Sequence, residues 1–248
     1  VILSHRWKFI FIKGRKVAGT SVEIALSSLC GPDDIVTPIT PIDEVRRIEA
    51  GHPARNYSAD RPGEIAYLAE IQRQWSAGYW DISLPMERFY HHMSLTEVLD
   101  AVDHDISDYR VFCVERSPYA KVLSWLNMIV SWDSYIAGDG MGGRISALRE
   151  IIDDYFERGD IGHTRNIDLY RDRAGDVRLT ALPYGTLEPA FAELLGSFGI
   201  APVPPLPHVK KGLMSDSIDP LAVFSRAQID RINEVYDEEF GTFGHPRL

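Results

Sequence analysis

Lys8-Phe9-Ile10-Phe11-Ile12-Lys13-Gly14-Arg15-Lys16-Val17-Ala18-Gly19-Thr20-Ser21 passes from a nearly continuous apolar run into a short loop carrying two glycines. A run apolar on both alternating sets is expected of a strand buried on both faces of a parallel sheet. Thr20 and Glu23 stand in capping-box spacing, and Val22, Ile24, Ala25, Leu26 and Leu29 follow before Gly31-Pro32. That pattern predicts a helix. The stretch is therefore a strand-loop-helix unit.

The plan recurs downstream. Tyr109–Arg116 reads as a second strand, and Ser117-Pro118 supplies an N-cap and an N1 proline for a helix over Tyr119–Val130. Asp176–Leu182 reads as a third strand, and Glu188–Phe198 as a helix closed by Gly199. Ser94 and Glu97 form a capping box ahead of Leu95, Val98, Leu99 and Val102, with His91 and His92 just outside it. A helix over Ile145–Arg158 follows the glycine-rich Gly138–Gly143, which predicts a mobile loop. Pro202–Pro207 is held extended by its prolines, and a last helix runs from Ser225, with Gln228 three residues on, to Gly241. Residues 33–90 lack a clean period apart from a helix over Glu64–Gln74, and are expected to be an irregular insertion. Strands alternating with helices predict one α/β domain over residues 1–248, with a mostly parallel central sheet flanked by helices.

Composition agrees. The 248 residues are 45% hydrophobic and 25% charged, which excludes disorder, collagen and a disulfide-stapled mini-protein. Cys30 and Cys113 stand far apart with no CxxC partner, so a reducing compartment is expected and a zinc module is not. With no apolar run near the roughly 20 residues of a membrane span and no leader, a cytoplasmic location is expected. A net charge of -10 argues against a nucleic-acid partner, so an anionic ligand has to be held by a local basic cluster.

Gly14–Ser21 has the position of a phosphate-binding loop and the two glycines of GxxxxGK[ST], but Thr20 stands where the lysine belongs and the cations lie inside the loop. Small residues and a helix N-terminus still suit an anion, Lys16 adds a point charge, and Arg15 a fork of donors. Arg116 ends the second strand and Ser124 follows eight residues later, at the same carboxyl edge on which α/β folds bind ligands.

These residues carry a family resemblance. Arg15-Lys16-Val17-Ala18-Gly19-Thr20-Ser21 is similar to the 5′-phosphosulfate loop of sulfotransferases, roughly Pro-Lys-Thr-Ala-Gly-Thr-Ser, with Arg15 and Val17 replacing the usual proline and threonine. Val111–Tyr119 with Ser124 resembles the 3′-phosphate motif of the same family, and Lys16 and Arg116 stand 100 residues apart. The likeness is closest to bacterial carbohydrate-type members. It implies a P-loop-like fold and transfer of a sulfuryl group from 3′-phosphoadenosine-5′-phosphosulfate (PAPS) to a hydroxyl of a carbohydrate or other small acceptor, without a metal. Lys16 is then the catalytic cation. Arg15, Lys16, Ala18, Gly19, Thr20 and Ser21 hold the 5′ end, Arg116 and Ser124 the 3′-phosphate, and Lys210 and Lys211 a late basic segment that closes over the donor. His92, at the start of a capped helix, is the candidate base, with His91, Glu87 and Glu115 as alternatives. Trp75, Tyr79, Trp80, Phe89 and Tyr90 read as core or as a sugar-stacking wall. Competing classes are a P-loop nucleotide kinase, disfavoured by Thr20 at the lysine position, and a non-catalytic nucleotide-binding module.

Overall fold

The structure is a computed structural model, and it describes residues 1–134, 141–207 and 218–248. In chain order its elements are strands β1 (Ile2–Ser4) and β2 (Phe9–Phe11), helix α1 (Gly19–Ser27), strand β3 (Ile35–Val36), and helices α2 (Pro41–Glu49), α3 (Arg61–Ala77) and α4 (Leu95–Ala101). Strand β4 (Arg110–Glu115) and helices α5 (Pro118–Ser134) and α6 (Met141–Glu157) follow. Strand β5 (Thr180–Pro183) and helices α7 (Leu187–Ser197), α8 (Pro220–Val223), α9 (Arg226–Val235) and α10 (Asp237–Phe243) complete the chain. Single 3-10 turns cover Asp160–Thr164, Ile167–Tyr170 and Tyr184–Thr186. Two compact units result, one from the described residues of 1–14, 18–114 and 168–209, the other from those of 15–17, 115–167 and 210–248.

The first unit is α/β. Its five-stranded sheet runs β3-β1-β2-β4-β5. β2 pairs β4 in parallel, Phe9 opposite Arg110 and Phe11 opposite Phe112, whereas β1 is antiparallel to both β2 and β3. The sheet is thus mixed, not mostly parallel. The cause is local: β1, which the sequence reading did not anticipate, is followed by only four residues before β2, too few for a parallel crossover. Phe9, Ile10 and Phe11 are all buried, as the apolar run requires, and the Phe112 ring lies 5.6 and 5.3 Å from those of Phe9 and Phe11. Each buried phenylalanine contributes about 1.5–3 kcal/mol of transfer free energy, so this aromatic stack anchors the centre of the sheet.

Several boundaries moved. Segment 33–90 holds a sheet strand and two helices, α3 being capped by Asp60, whose carboxylate accepts from the Gly63 N–H at 3.1 Å. The Thr20–Glu23 capping box does not form: α1 begins two residues earlier, its N-cap is Ala18 in place of Thr20, and Glu23 turns inward to a buried ion pair with Lys13. That helix also stops at Ser27, short of Gly31-Pro32. The boxes at Ser94–Glu97 and Ser225–Gln228 both form as expected.

The second unit is helical. Val122, Leu126, Leu148, Ile152, Ile232 and Phe240 lie in one buried apolar cluster from α5, α6, α9 and α10. Tyr236 interrupts the expected last helix, because its hydroxyl reaches inward to the Ile161 carbonyl at 2.6 Å and to Thr164 at 2.7 Å. Of the expected Gly138–Gly143 loop, residues 138–140 lie outside the described residues, and Met141, Gly142 and Gly143 begin α6. Among the described residues no helix is long and apolar enough to cross a membrane.

Candidate functional site

In the first unit the candidate residues gather at the start of α1. Ala18 adopts left-handed dihedrals (φ 63°, ψ 20°) and gives the helix no side-chain cap. Its carbonyl accepts from Ser21 at 3.0 Å and from Val22 at 3.4 Å, while the Gly19 and Thr20 N–H groups open the helix, where no preceding turn supplies carbonyls. An uncapped N-terminus with its dipole is suited to an anion. Gly19 is also needed for packing. A Cβ there would stand 2.6 Å from Cγ of Lys13, whose ammonium is held 2.6 Å from the Glu23 carboxylate. Both side chains are almost wholly buried. Burial works against the Glu23 charge, but neighbouring positive charge, the Lys13 ammonium first, outweighs it and the carboxyl is held well below its usual range.

His91 and His92 flank the same lysine and differ in role. The Lys13 ammonium lies 3.5 Å from Nδ1 of His91; burial first, and then that positive charge, push the His91 pKa far down, so its ring is neutral and accepts. The His92 ring meets that of His91 edge-on at 4.0 Å, and its Nδ1 is 2.8 Å from the Lys13 carbonyl oxygen. A carbonyl only accepts, so Nδ1 of His92 carries the proton, and in the neutral ring Nε2 is the acceptor nitrogen. His92 also has a left-handed backbone (φ 59°), a conformation that costs a non-glycine residue about 1–3 kcal/mol. Ser94 caps α4 just beyond it, sharing hydrogen bonds with Glu97.

The second unit holds the basic residues. Lys16 also adopts a left-handed backbone (φ 61°). Asn166 holds the neighbouring Arg15 at both ends of its backbone, accepting from the N–H at 2.8 Å and donating to the carbonyl at 3.1 Å. The guanidinium of Arg116, a buried residue, donates to the Lys16 carbonyl at 3.5 Å. The Lys16 ammonium stands 3.5 Å from the Met128 sulfur and 6.0 Å from the Trp125 ring centre, and Trp125 stacks on His163 at 4.0 Å. Burial, then Arg15, lowers the His163 pKa. Ser124 is half-buried, two turns into α5. Arg15, Lys16, Arg116 and Ser124 thus belong to one unit, and Ala18, Gly19, Thr20, Ser21 and His92 to the other.

Of the alternative bases, Glu115 is buried and accepts from Lys121 and Asn166, both at 2.9 Å, whereas Glu87 is exposed and accepts from the Ser58 hydroxyl. Lys210 and Lys211 lie outside the described residues. The aromatic group divides: Phe89 is core, while Trp75, Tyr79 and Trp80 are 41–47% exposed, with the two indoles 5.5 Å apart. Among the described residues no three metal-ligating side chains gather. Sequence reading missed Trp125, Met128, His163 and Asn166. Trp125 adjoins Ser124 and carried a weak signal, but nothing in the chain ties Asn166 to a loop 151 residues away. No family model, curated protein or solved structure matches this chain.

Proposed function

We propose that this protein is a sulfotransferase that moves the sulfuryl group of PAPS to a hydroxyl of a carbohydrate or other small acceptor, with the P-loop-like arrangement that its resemblance to bacterial carbohydrate-type sulfotransferases implies. The observation that carries the reading is the Arg15–Ser21 segment: two non-glycine residues, Lys16 and Ala18, are left-handed immediately before a helix with no side-chain cap. Left-handed residues and uncapped helix amides are the backbone features that anion-binding loops use. The donor supplies the activated sulfuryl group; this chain supplies the rest. Thr20 and Ser21, with the opening amides of α1, donate to the 5′-phosphosulfate oxygens, and Arg15 adds charge. Arg116 and Ser124 hold the 3′-phosphate, and Lys210 and Lys211 belong to the same donor site.

Lys16 stabilises the negative charge that grows on the oxygen bridging sulfur and phosphorus, an interaction stronger in the transition state than in the ground state. Nε2 of His92 takes the acceptor hydroxyl proton as the new oxygen–sulfur bond forms and the sulfur–bridging-oxygen bond breaks. The products are the sulfated acceptor and 3′-phosphoadenosine-5′-phosphate (PAP). No metal takes part in these steps. Two buried cysteines, neither in a disulfide, fit a reducing, cytoplasmic setting.

The test is PAP release from PAPS, with EDTA present, across a panel of saccharide acceptors. Lys16→Ala is expected to lose at least about 100-fold in turnover, the scale of one charge-stabilising donor, with an unchanged circular dichroism spectrum. Normal turnover by that variant, or activity that returns only when Mg²⁺ is restored, sinks the reading.

A further inference from the structure

We propose that Asn166 is the positioning residue of the donor loop, fixing the backbone at Arg15 and so the placement of the Lys16 ammonium; this rests on the sulfotransferase reading. The geometry is specific. One side-chain amide is used on a single residue of the loop: its oxygen accepts from the Arg15 N–H at 2.8 Å and its NH₂ donates to the Arg15 carbonyl at 3.1 Å. The same NH₂ donates to Glu115 at 2.9 Å, and because a carboxylate only accepts, the amide cannot be flipped. Glu115 is in turn set by the Lys121 ammonium at 2.9 Å, and Lys121 is shared with Glu239 at 2.6 Å. Glu239 closes the ring, its other oxygen accepting from the backbone N–H groups of Asn166 and Ile167. Asn166, Lys121 and Glu239 are fully buried and Glu115 nearly so, so each bond acts in a low-dielectric setting and stiffens its neighbours.

A residue that served only the core would not need to satisfy both polar groups of an adjoining loop peptide. Here the clamp stands one residue before the left-handed Lys16, and such strained backbone persists only where the surroundings over-determine it. The Arg15 N–H is thereby committed to Asn166 and is no donor for the ligand.

Two measurements test this. In the wild-type protein, amide hydrogen exchange is expected to find the Arg15 N–H already protected and unmoved by PAP, while Gly19 and Thr20 slow when PAP is added. A rapidly exchanging Arg15 amide overturns the clamp. Calorimetry then compares Asn166→Ala with Tyr236→Phe, which removes a buried hydroxyl of the same unit bonded away from the loop. At a temperature where melting curves show both variants folded, Asn166→Ala is expected to bind PAP at least tenfold more weakly and to lose turnover, and Tyr236→Phe to stay within twofold of wild type. Equal PAP affinity in wild type and Asn166→Ala overturns the positioning role and leaves the sulfotransferase reading standing. A wild-type protein that does not bind PAP overturns both.

Discussion

Replacing Gly19 by alanine separates a packing requirement from a ligand requirement. The backbone of Gly19 is ordinary helix, so on propensity alone alanine would stabilise α1 by up to about 1 kcal/mol. Against this, the new methyl would stand 2.6 Å from Lys13 Cγ, 3.3 Å from its Cε and 3.4 Å from its Cδ. Carbon atoms rest at about 3.5–4.0 Å, so the stem has to move by about 1 Å. It is not a loose end: the ammonium is pinned 2.6 Å from Glu23 and both groups are out of water. Overpacking of this kind costs about 1–3 kcal/mol, and stretching a buried ion pair adds to it. The net expectation for Gly19→Ala is a loss of about 1–2 kcal/mol, or roughly 2–8 °C in Tm for a protein of this size. Urea titration followed by circular dichroism, without ligand, reads it. Made in a Lys13→Ala background, the same substitution should be neutral or stabilising, because the atoms it meets are gone. A Gly19→Ala protein more stable than its parent would refute the reasoning.

Three further outcomes are expected. Ser94→Ala should cost about 0.5–2 kcal/mol, since Ser94 caps α4, whereas Thr20→Ala, which removes no cap, should cost less than about 0.5 kcal/mol in the ligand-free protein; equal losses in thermal melts would contradict the placement of Ala18 as the N-cap. His91 is held neutral in the fold with its pKa lowered, so below about pH 6.5 only the unfolded chain takes up its proton, and stability should fall with falling pH by up to about 1.4 kcal/mol per unit. His5, His163 and His245 are shifted the same way by burial, so His91→Asn should flatten the slope between pH 6.5 and 5 without abolishing it; an unchanged slope in urea unfolding would count against the buried neutral ring. If His92 is the base proposed above, His92→Ala should abolish transfer to a hydroxyl acceptor while PAP affinity stays within a few-fold, because the proton to be removed would belong to the acceptor. Single-turnover rates at the parental level would remove it as the base.

What the chain discloses of itself depends on how local the cause is. β2 and β4 were legible because a strand covered on both faces needs an unbroken apolar run, and the caps at Ser94 and Ser225 because their hydrogen bonds span three residues. Thr20-x-x-Glu23 has the same spacing and failed, since the Glu23 carboxylate finds a stronger partner in Lys13, ten residues back. The hairpin that makes the sheet mixed was hidden because β1 is only three residues long. In segment 33–90, β3 is two residues long and α2 exposes Ile42 while burying Arg47 against Glu44, which hides the usual apolar period. Within the candidate site, the loop and Arg116 could be read from type and spacing. Asn166 could not, since an asparagine that closes a ring of buried charges looks the same in sequence as one in a turn.

The measurement closest to the central claim is a calorimetric comparison of PAP with AMP on the wild-type protein in the presence of EDTA. The two ligands differ by the 3′-phosphate assigned to Arg116 and Ser124. PAP is expected to bind at least tenfold more tightly, a difference of about 1.4 kcal/mol or more, with no metal required. Equal affinities, or binding of either nucleotide that depends on Mg²⁺, would contradict it.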